Sequence, residues 1–339
     1  MNIALVGAGK FGERHLATWM RLQKKGLCNL VAAVDISQEQ LGRLEEKYGC
    51  RVETSIDAVL PEVDAIDIVT PASTHYHLAK RCLLADKHVM IEKPMTTSFK
   101  EAIEIHNLGL AKKKIVGIGH VFRYNQLTEK LKTSITTEMI HSPLLIEAQF
   151  LNPNQPREDV GSIFNYSHWV DLCNYLLEST PSRISCSVYR NNDKKFEDNA
   201  SIIMDYEQGT QAKLTVGWVG RRKKRYFSID AADASMLVDY LDNSYQVSTG
   251  DGSATIKTAS LKLTFDSSSE PLYVELSDFV NSAKSGTNPL ANSRSGVISV
   301  YLCETALRSA SERRALECDD QAKIFGGEVF STNDSSAVR

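Results

Sequence analysis

The sequence lacks several features that would each define a class of protein. Its 39 basic and 42 acidic residues nearly balance, for a net charge of −3, so neither a nucleic-acid nor a membrane surface is indicated. No apolar run approaches the ~20 residues of a membrane-spanning helix. There is no internal repeat. Because an apolar strand is predicted from residue 2 onward, we also expect no signal peptide.

Cysteine is scattered and odd in number. None of the seven cysteines forms a Cys-x-x-Cys pair, which argues against a zinc site or a disulfide framework and favours a reduced, cytoplasmic protein. His75 and His77 stand two residues apart, not the four of a helical metal pair, so we predict no metal site. The 339 residues, 42% of them hydrophobic, suit two domains with a core each.

A glycine pattern marks the N-terminus. The apolar run Ile3–Val6 leads into Gly7-Ala8-Gly9-Lys10-Phe11-Gly12, and a helical pattern follows. In a dinucleotide-binding loop the three glycines allow a tight turn, a close approach to pyrophosphate and close helix packing. The helix N-terminus offers unpaired N–H groups to the phosphates. Strand before and helix after are the context that this weak motif requires.

Asp35 ends the second predicted strand, 23 residues after Gly12. That is close to the ~20 expected for a carboxylate that binds the adenosine ribose. Such a carboxylate repels a 2′-phosphate, so we predict NAD rather than NADP as the cofactor. The alternative is an ordinary turn residue at a strand end.

Lys93 stands at the end of another apolar run, in Glu92-Lys93-Pro94. Neither charged side chain tolerates full burial unless it is paired. Pro94 keeps Lys93 out of helical geometry and permits a cis peptide bond. The backbone therefore aims one amine at a fixed point. A solvated strand end is the alternative, and the glycine loop upstream favours the functional interpretation.

Strands and helices are predicted to alternate over residues 1–122, which is typical of a doubly wound parallel sheet. The strands are Asn2–Val6, Leu30–Asp35, Asp64–Thr70, His88–Glu92 and Ile115–Gly119, and the helices are Gly12–Gln23, Gln38–Tyr48, Thr74–Ala85 and Phe99–Ala111. Ligands of such sheets bind beyond the carboxyl ends of the strands. Gly7, Asp35, Thr70, Pro71, Lys93 and His120 all lie at such ends, so we expect one rim to collect the chemistry.

The alternation of strands and helices ends in residues 123–330, which we predict to form a second domain that covers this rim. Short turns between longer β-rich runs indicate an antiparallel or mixed sheet. The predicted strands are Leu145–Leu151, Arg183–Tyr189, Ala200–Tyr206, Gln211–Val219, Arg225–Ala231 and Met236–Leu241, with helices at Leu127–Ser134, Leu272–Lys284 and Gly296–Ser311. Residues 331–339 are predicted to be a disordered tail.

Five motifs, in this order and spacing, resemble the Gfo/Idh/MocA oxidoreductases, which act on sugars, inositols and nucleotide-sugars with a nicotinamide cofactor. They are the glycine loop, Val69-Thr70-Pro71-x-x-x-His75, Glu92-Lys93-Pro94, Gly119-His120-Val121-Phe122-Arg123-Tyr124-Asn125 and Ser167-His168-x-x-Asp171. The resemblance spans nearly the whole chain. It implies an α/β protein with an NAD-binding Rossmann domain and a second α/β domain with a large open sheet, often used for assembly, so we expect a homodimer or homotetramer.

The resemblance implies that Lys93 and His168 line the reacting carbon, with Lys93 as general acid/base. The expected substrate contacts are His120, Arg123, Asn125, Asn165 and Tyr166. The expected cofactor contacts are Gly7, Ala8, Gly9, Lys10, Phe11, Gly12, Asp35, Thr70, Pro71, His75, Glu92 and Lys93. The expected substrate is a sugar, polyol or nucleotide-sugar. On sequence alone, an isolated histidine beside aromatic residues is usually a packed core residue, and the spacing predicts His168 on the first turn of a helix capped by Ser167.

Many relatives carry an aspartate three or four residues before this histidine, where this chain has Phe164 and Asn165. Asparagine cannot carry a proton at neutral pH. Lys93 and His168 could suffice, or Tyr166 could contribute. Otherwise the protein is a cofactor-bound sugar sensor, or a lyase or hydrolase that recycles its NAD.

One arginine and one basic run each have two possible interpretations. Arg123 either faces the ligand or forms a surface ion pair. The run Arg221-Arg222-Lys223-Lys224-Arg225 is either a solvated turn or a phosphate clamp for a nucleotide-sugar or sugar phosphate.

Overall fold

The computed structural model describes residues 1–137, 140, 143–153, 156–191, 194–250, 257–264, 266 and 268–325. The predicted tail, 331–339, lies outside the described residues. Two sheets organise the chain, one of six strands and one of nine.

The first sheet is fully parallel, with strand order β3-β2-β1-β4-β5-β6. Its strands are β1 (Asn2–Val6), β2 (Asn29–Val34), β3 (Val52–Glu53), β4 (Ala65–Ile68), β5 (His88–Ile91) and β6 (Val116–Ile118). The strands are nearly continuous in apolar residues because helices cover both faces of the sheet. The predicted doubly wound sheet is confirmed, with the short edge strand β3 as an addition.

Four helices connect these strands: α1 (Lys10–Lys24), α2 (Gln38–Tyr48), α3 (Ala72–Leu84) and α4 (Phe99–Lys112). Local signals explain where α2 begins and ends. The side chain of Ser37 accepts a hydrogen bond from the Gln40 N–H, and Gly49 closes the helix in the left-handed conformation. The predicted bounds of α1, α3 and α4 are correct to within two residues at either end.

The second sheet has the order β14-β13-β12-β11-β7-β10-β9-β8-β15, and all its pairings are antiparallel except β7 with β10. Its strands are β7 (Leu145–Leu151), β8 (Arg183–Tyr189), β9 (Asn199–Asp205), β10 (Gln211–Gly217), β11 (Lys224–Asp230), β12 (Ala234–Asp239), β13 (Ser244–Thr249), β14 (Lys257–Lys262) and β15 (Leu316–Glu317). The predicted mostly antiparallel sheet is confirmed. Strands β13 to β15 were not predicted, because these segments are short or rich in polar residues.

The remaining helices are α5 (Gln126–Thr136), α6 (Ser162–Asn165), α7 (His168–Leu177), α8 (Pro271–Ser285), α9 (Ser293–Glu312) and α10 (Gln321–Ile324). Helix α8 packs against α1, and α9 lies between the sheets, contacting α4 and β6 on one side and β8 on the other. The C-terminal helices thus return to the first sheet. The division at residue 122/123 stays a prediction. No helix among the described residues is long and apolar enough to cross a bilayer.

Candidate functional site

A cavity of about 1320 Å³ lies at the carboxyl rim of the first sheet. The ends of β1, β2, β4 and β5 form one wall. Phe150 of β7, Arg225 of β11 and His168 of α7 contribute to the other. Eleven predicted site residues line this one cavity: Gly7, Gly9, Lys10, Phe11, Asp35, Thr70, Pro71, Glu92, Lys93, Asn125 and His168. Seven do not: Ala8, Gly12, His75, His120, Arg123, Asn165 and Tyr166.

The glycine loop forms the floor of the cavity. Gly7 has a φ of +111°, and a Cβ there would overlap the Val69 carbonyl oxygen. A Cβ on Gly12 would overlap the Gly7 carbonyl oxygen, so this glycine lets α1 approach β1. Gly9 has open space where its Cβ would be. The three glycines therefore differ: two are required for packing, and Gly9 leaves room above the N-terminus of α1.

Asp35 follows β2 with both carboxylate oxygens held by backbone donors. Oδ2 accepts from the Ala8 N–H at 2.6 Å, and Oδ1 accepts from the Ser37 N–H at 2.8 Å. These bonds fix the carboxylate at the cavity wall beside the glycine loop. Ala8 thus serves the site through its backbone and not by facing the cavity.

Lys93 is half-buried at the end of β5, and its peptide bond to Pro94 is cis. Its Nζ donates a hydrogen bond to the backbone carbonyl of Asn165 at 2.6 Å. Burial lowers the pKa of the Lys93 amine to about 8, although the charge of Glu92 opposes the shift. A substantial fraction of this amine is therefore neutral near physiological pH, as a proton acceptor must be.

Glu92 belongs to a buried ionic cluster that the sequence did not reveal. Its Oε1 lies 3.4 Å from His15 Nε2, and His15 Nδ1 lies 2.8 Å from Asp67 Oδ2. The Trp19 indole N–H donates to the same Asp67 oxygen at 2.6 Å. Burial alone would lower the pKa of His15, but Asp67 and Glu92 raise it to about 10. His15 is therefore an imidazolium that holds Glu92 in place at the cavity wall.

His168 is the first residue of α7, as predicted, and its side chain is buried against Phe122 with ring centroids 4.9 Å apart. Its Nδ1 has no hydrogen-bond partner among the described residues. Burial and then the charge of Lys93 bring the pKa of His168 well below its usual value, so the ring is neutral. Ser167 does occupy the N-cap position, but its side chain makes no capping hydrogen bond, which corrects that prediction.

His75 does not face the cavity, although we expected it to contact the cofactor. It is buried with Nδ1 2.8 Å from the Pro94 carbonyl and Nε2 2.9 Å from the Thr70 carbonyl. The ring thereby joins the loops that follow β4 and β5. Its contribution to the site is to fix the loop that carries Lys93.

The residues predicted to bind substrate occupy different environments. Asn125 lines the cavity while its Oδ1 caps α5 by accepting from the Leu127 N–H. His120 is buried with Nε2 3.5 Å from Asp171 Oδ1. Asn165 reaches the site through its backbone carbonyl, and Tyr166 stacks on Phe150. Only Asn125 of these four therefore lies where it could touch a ligand in the main cavity.

Arg123 is placed away from the main cavity, contrary to the prediction that it faces the ligand. Its guanidinium donates two hydrogen bonds of 2.8 Å to the carboxylate of Asp171 and one to the Leu290 carbonyl. The side chain is 10% exposed. The alternative of an ion pair is therefore correct, but the pair is buried instead of on the surface.

The basic run divides at its last residue. Arg221 to Lys224 are exposed, whereas Arg225 is half-buried and lines the main cavity. Arg225 shares the inward face of β11 with Phe227 and Ile229, and this alternation was a usable signal in the sequence. Other cavity residues that sequence reasoning missed are Arg14, Ser37, Gln40, His77 and Arg157.

The described residues fit a dinucleotide. The open space over Gly9, the free N–H groups at the start of α1 and the fixed carboxylate of Asp35 lie along one wall of a cavity larger than most single-ligand pockets. In the part of the chain that the structure describes, no group of three or more His, Cys, Asp or Glu side chains could hold a metal ion.

Two family models match the chain, and they define its class. Residues 1–120 match the oxidoreductase family with an NAD-binding Rossmann fold, and residues 129–254 match the Gfo/Idh/MocA C-terminal domain. The chain therefore belongs to the Gfo/Idh/MocA family of NAD-binding oxidoreductases, and the resemblance inferred from the motifs is confirmed.

Individual relatives narrow the comparison. A UDP-N-acetylglucosamine 3-dehydrogenase from Acidithiobacillus ferrooxidans is 29% identical over 250 residues, 73% of this chain and 76% of that protein. A solved structure of that enzyme superposes with a TM-score of 0.81 at 25% identity, covering 92% of this chain and 98% of the other. An inositol 2-dehydrogenase from Rhizobium meliloti is 24% identical over 335 residues, 93% of this chain and 98% of that protein.

Proposed function

We propose that this protein transfers a hydride between NAD and a hydroxyl-bearing carbon of a sugar, polyol or nucleotide-sugar, with Lys93 as general acid/base. The observation that carries the proposal is the amine of Lys93, which shares one cavity with the glycine loop, Asp35 and His168 and has its pKa lowered to about 8. The relatives that act on a UDP-sugar and on inositol support this substrate class.

The bound nicotinamide supplies the hydride acceptor or donor, and the protein supplies orientation and proton transfer. In the oxidative direction Lys93 accepts the hydroxyl proton as a neutral amine, and in the reductive direction it donates the proton as an ammonium. The Asn165 carbonyl holds the amine at 2.6 Å, which fixes its position. This contact uses the backbone of residue 165 and not its side chain. Lys93 can therefore be held in the same way although this chain has Asn165 in the segment where many relatives carry an aspartate.

His168 acts beside Lys93 as a neutral hydrogen-bonding group. Its lowered pKa makes protonation at neutral pH unfavourable, so it orients the substrate hydroxyl and does not relay the proton. Its Nδ1, which has no partner among the described residues, is available for this contact.

The residues that would hold the cofactor favour NAD over NADP. Gly9 and the N-terminus of α1 suit the pyrophosphate, and Asp35 suits the ribose hydroxyls of the adenosine. A 2′-phosphate beside the Asp35 carboxylate would be repelled.

We also propose a cytoplasmic location, because the cysteines are scattered and unpaired, and a homodimer or homotetramer that forms through the outer face of the nine-stranded sheet. Light scattering of the purified protein tests the latter.

The test is nicotinamide absorbance during turnover. The purified protein is incubated with NAD and a panel of sugars, inositols and UDP-sugars. Lys93→Ala is expected to lower kcat by about 10²- to 10⁴-fold with little change in the dissociation constant for NAD. Lys100→Ala, at an exposed position on α4, is the matched control. Near-normal turnover of Lys93→Ala would refute the assignment of the base.

A further inference from the structure

Arg225 is a cation in the main cavity that has no acidic partner. No carboxylate among the described residues forms an ion pair or a hydrogen bond with its guanidinium, and its Nε is buried without a hydrogen-bond acceptor. Its carbonyl, by contrast, accepts from the Tyr240 N–H in the sheet. A half-buried charge without a partner costs free energy, so a ligand that supplies the missing anion would be bound strongly.

Two aromatic rings hold the guanidinium in place. Its central carbon lies 4.4 Å from the ring centroid of Phe150 and 5.8 Å from that of Phe122. Phe122 also contacts His168. Stacking on aromatic faces fixes the plane of an arginine while leaving its N–H edge available for two parallel bonds to an anion.

The cavity acids are already engaged elsewhere. Asp35 is bound by the Ala8 and Ser37 N–H groups, Glu92 pairs with His15, and Glu270 pairs with Arg21. Arg157, a second cavity arginine, differs from Arg225 because Asp159 accepts two of its hydrogen bonds. No acid that lines the cavity is therefore left to pair with Arg225, and Asp239 acts on its guanidinium only from beyond ion-pair distance.

Arg225 lies on the substrate side of the cavity. Phe122 lies between Arg225 and His168, with its ring centroid 5.8 Å from the guanidinium carbon and 4.9 Å from the His168 ring, and Lys93 lines the same cavity. After burial, the charge of Arg225 further lowers the pKa values of both Lys93 and His168. It comes from the second sheet, opposite the glycine loop that would bind the cofactor phosphates.

We infer that the substrate is anionic, and that Arg225 binds its carboxylate or phosphate group while Lys93 and His168 address the hydroxyl. The inference rests on the proposed function, whose substrate class it narrows to sugar acids, sugar phosphates or nucleotide-sugars. The neighbouring residues 221–224 do not take part, because they are exposed outside the cavity.

The experiment compares neutral and anionic substrates in three proteins. Glucose and myo-inositol are the neutral probes, glucuronate carries a carboxylate, and glucose 6-phosphate and UDP-N-acetylglucosamine carry phosphates. Wild type is expected to favour one anionic class over the neutral probes by at least about tenfold in kcat/KM, and Arg225→Gln to lose that preference. Arg222→Gln, exposed in the same basic run, is expected to behave as wild type.

A binding measurement separates this inference from the proposed function. The same probes are titrated into the NAD-loaded proteins and followed by thermal shift. Anion binding that disappears in Arg225→Gln supports the inference even where no probe is oxidised. Oxidation of neutral probes as well as anionic ones, unchanged in Arg225→Gln, overturns it while leaving the proposed function standing. A weaker affinity of Arg225→Gln for NAD alone would assign Arg225 to the cofactor and also overturn it.

Discussion

The amine of Lys93 should set the pH dependence of the reaction. Its pKa of about 8 in the free protein means that it is mostly an ammonium below that pH and a proton acceptor above it. We expect kcat/KM for oxidation to rise with pH up to about 8 and level off above it, and kcat/KM for reduction to stay level below about pH 8 and fall above it. Initial rates in both directions check this. A flat oxidation profile would contradict the role of Lys93.

The buried pair of His15 with Asp67 and Glu92 should stabilise the fold in a pH-dependent way. The pKa of His15 is about 10 in the folded protein and ~6.5 when unfolded, so the stabilisation is complete below ~6.5 and is lost as the pH rises towards 10. We expect His15→Gln to lower the free energy of unfolding by about 3 kcal/mol near neutral pH, with a smaller loss at about pH 9.5.

Urea unfolding at several pH values measures this difference. Arg308→Gln is a suitable control, since Arg308 forms an exposed ion pair with Glu312 and should contribute less than about 1 kcal/mol. A loss for His15→Gln that does not change with pH would mean that the packing of the ring, and not its charge, stabilises the fold.

The sequence indicated those site residues whose neighbours along the chain form an unusual local pattern. Lys93 was predictable because charged residues and a proline end an apolar strand. His15 was not, because its partners Asp67 and Glu92 come from β4 and the end of β5, and only the sheet order brings them to α1. Arg225 was hidden among four similar neighbours, and only the alternation along β11 distinguishes it.

At the scale of elements, the glycine loop joining β1 to α1 contains one glycine that the fold requires and another that we expect only cofactor binding to require. A Cβ on Gly12 would overlap the Gly7 carbonyl, so Gly12→Ala should destabilise the fold by about 1–3 kcal/mol. Gly9 has an extended backbone that alanine can adopt and open space for a Cβ. Gly9→Ala should therefore keep the melting temperature of the cofactor-free protein but weaken NAD binding about tenfold or more.

Calorimetry of the cofactor-free variants and titration with NAD test both expectations. Equal melting temperatures for Gly12→Ala and wild type would show that α1 can move away from β1 at little cost. Unchanged NAD affinity in Gly9→Ala would show that the phosphates do not lie over this glycine.

Elements with a strong hydrophobic period were predicted well, and those at or next to a sheet edge were not. The strands β1 and β7 match their predicted bounds because apolar residues fill or alternate along them. Strand β13 has an edge-like pattern in which no residue is fully buried, so its sequence carries little hydrophobic signal. Tertiary pairing with β12 and β14 decides its conformation.

At the scale of the whole molecule, the two sheets are joined by contacts between segments that are far apart in the sequence. Helix α9 touches both, and the Glu304 side chain on it accepts a hydrogen bond from the Phe99 N–H at the start of α4. The site depends on this union, because Lys93 comes from the first sheet and Arg225 from the second. Mutation of an arginine that joins distant segments should therefore lower stability, whereas mutation of an arginine that lines the cavity should weaken substrate binding.

Arg123 provides that comparison. It follows β6, and it binds Asp171 on α7 and the Leu290 carbonyl ahead of α9, so it joins three distant segments. Arg123→Gln leaves the buried Asp171 carboxylate without its cation and should destabilise the protein by about 3–5 kcal/mol, with little change in the KM of the folded enzyme for its substrate. Arg225→Gln should do the reverse. Melting temperatures and KM values for both variants check the pattern, and a raised KM with unchanged stability in Arg123→Gln would return Arg123 to the substrate site.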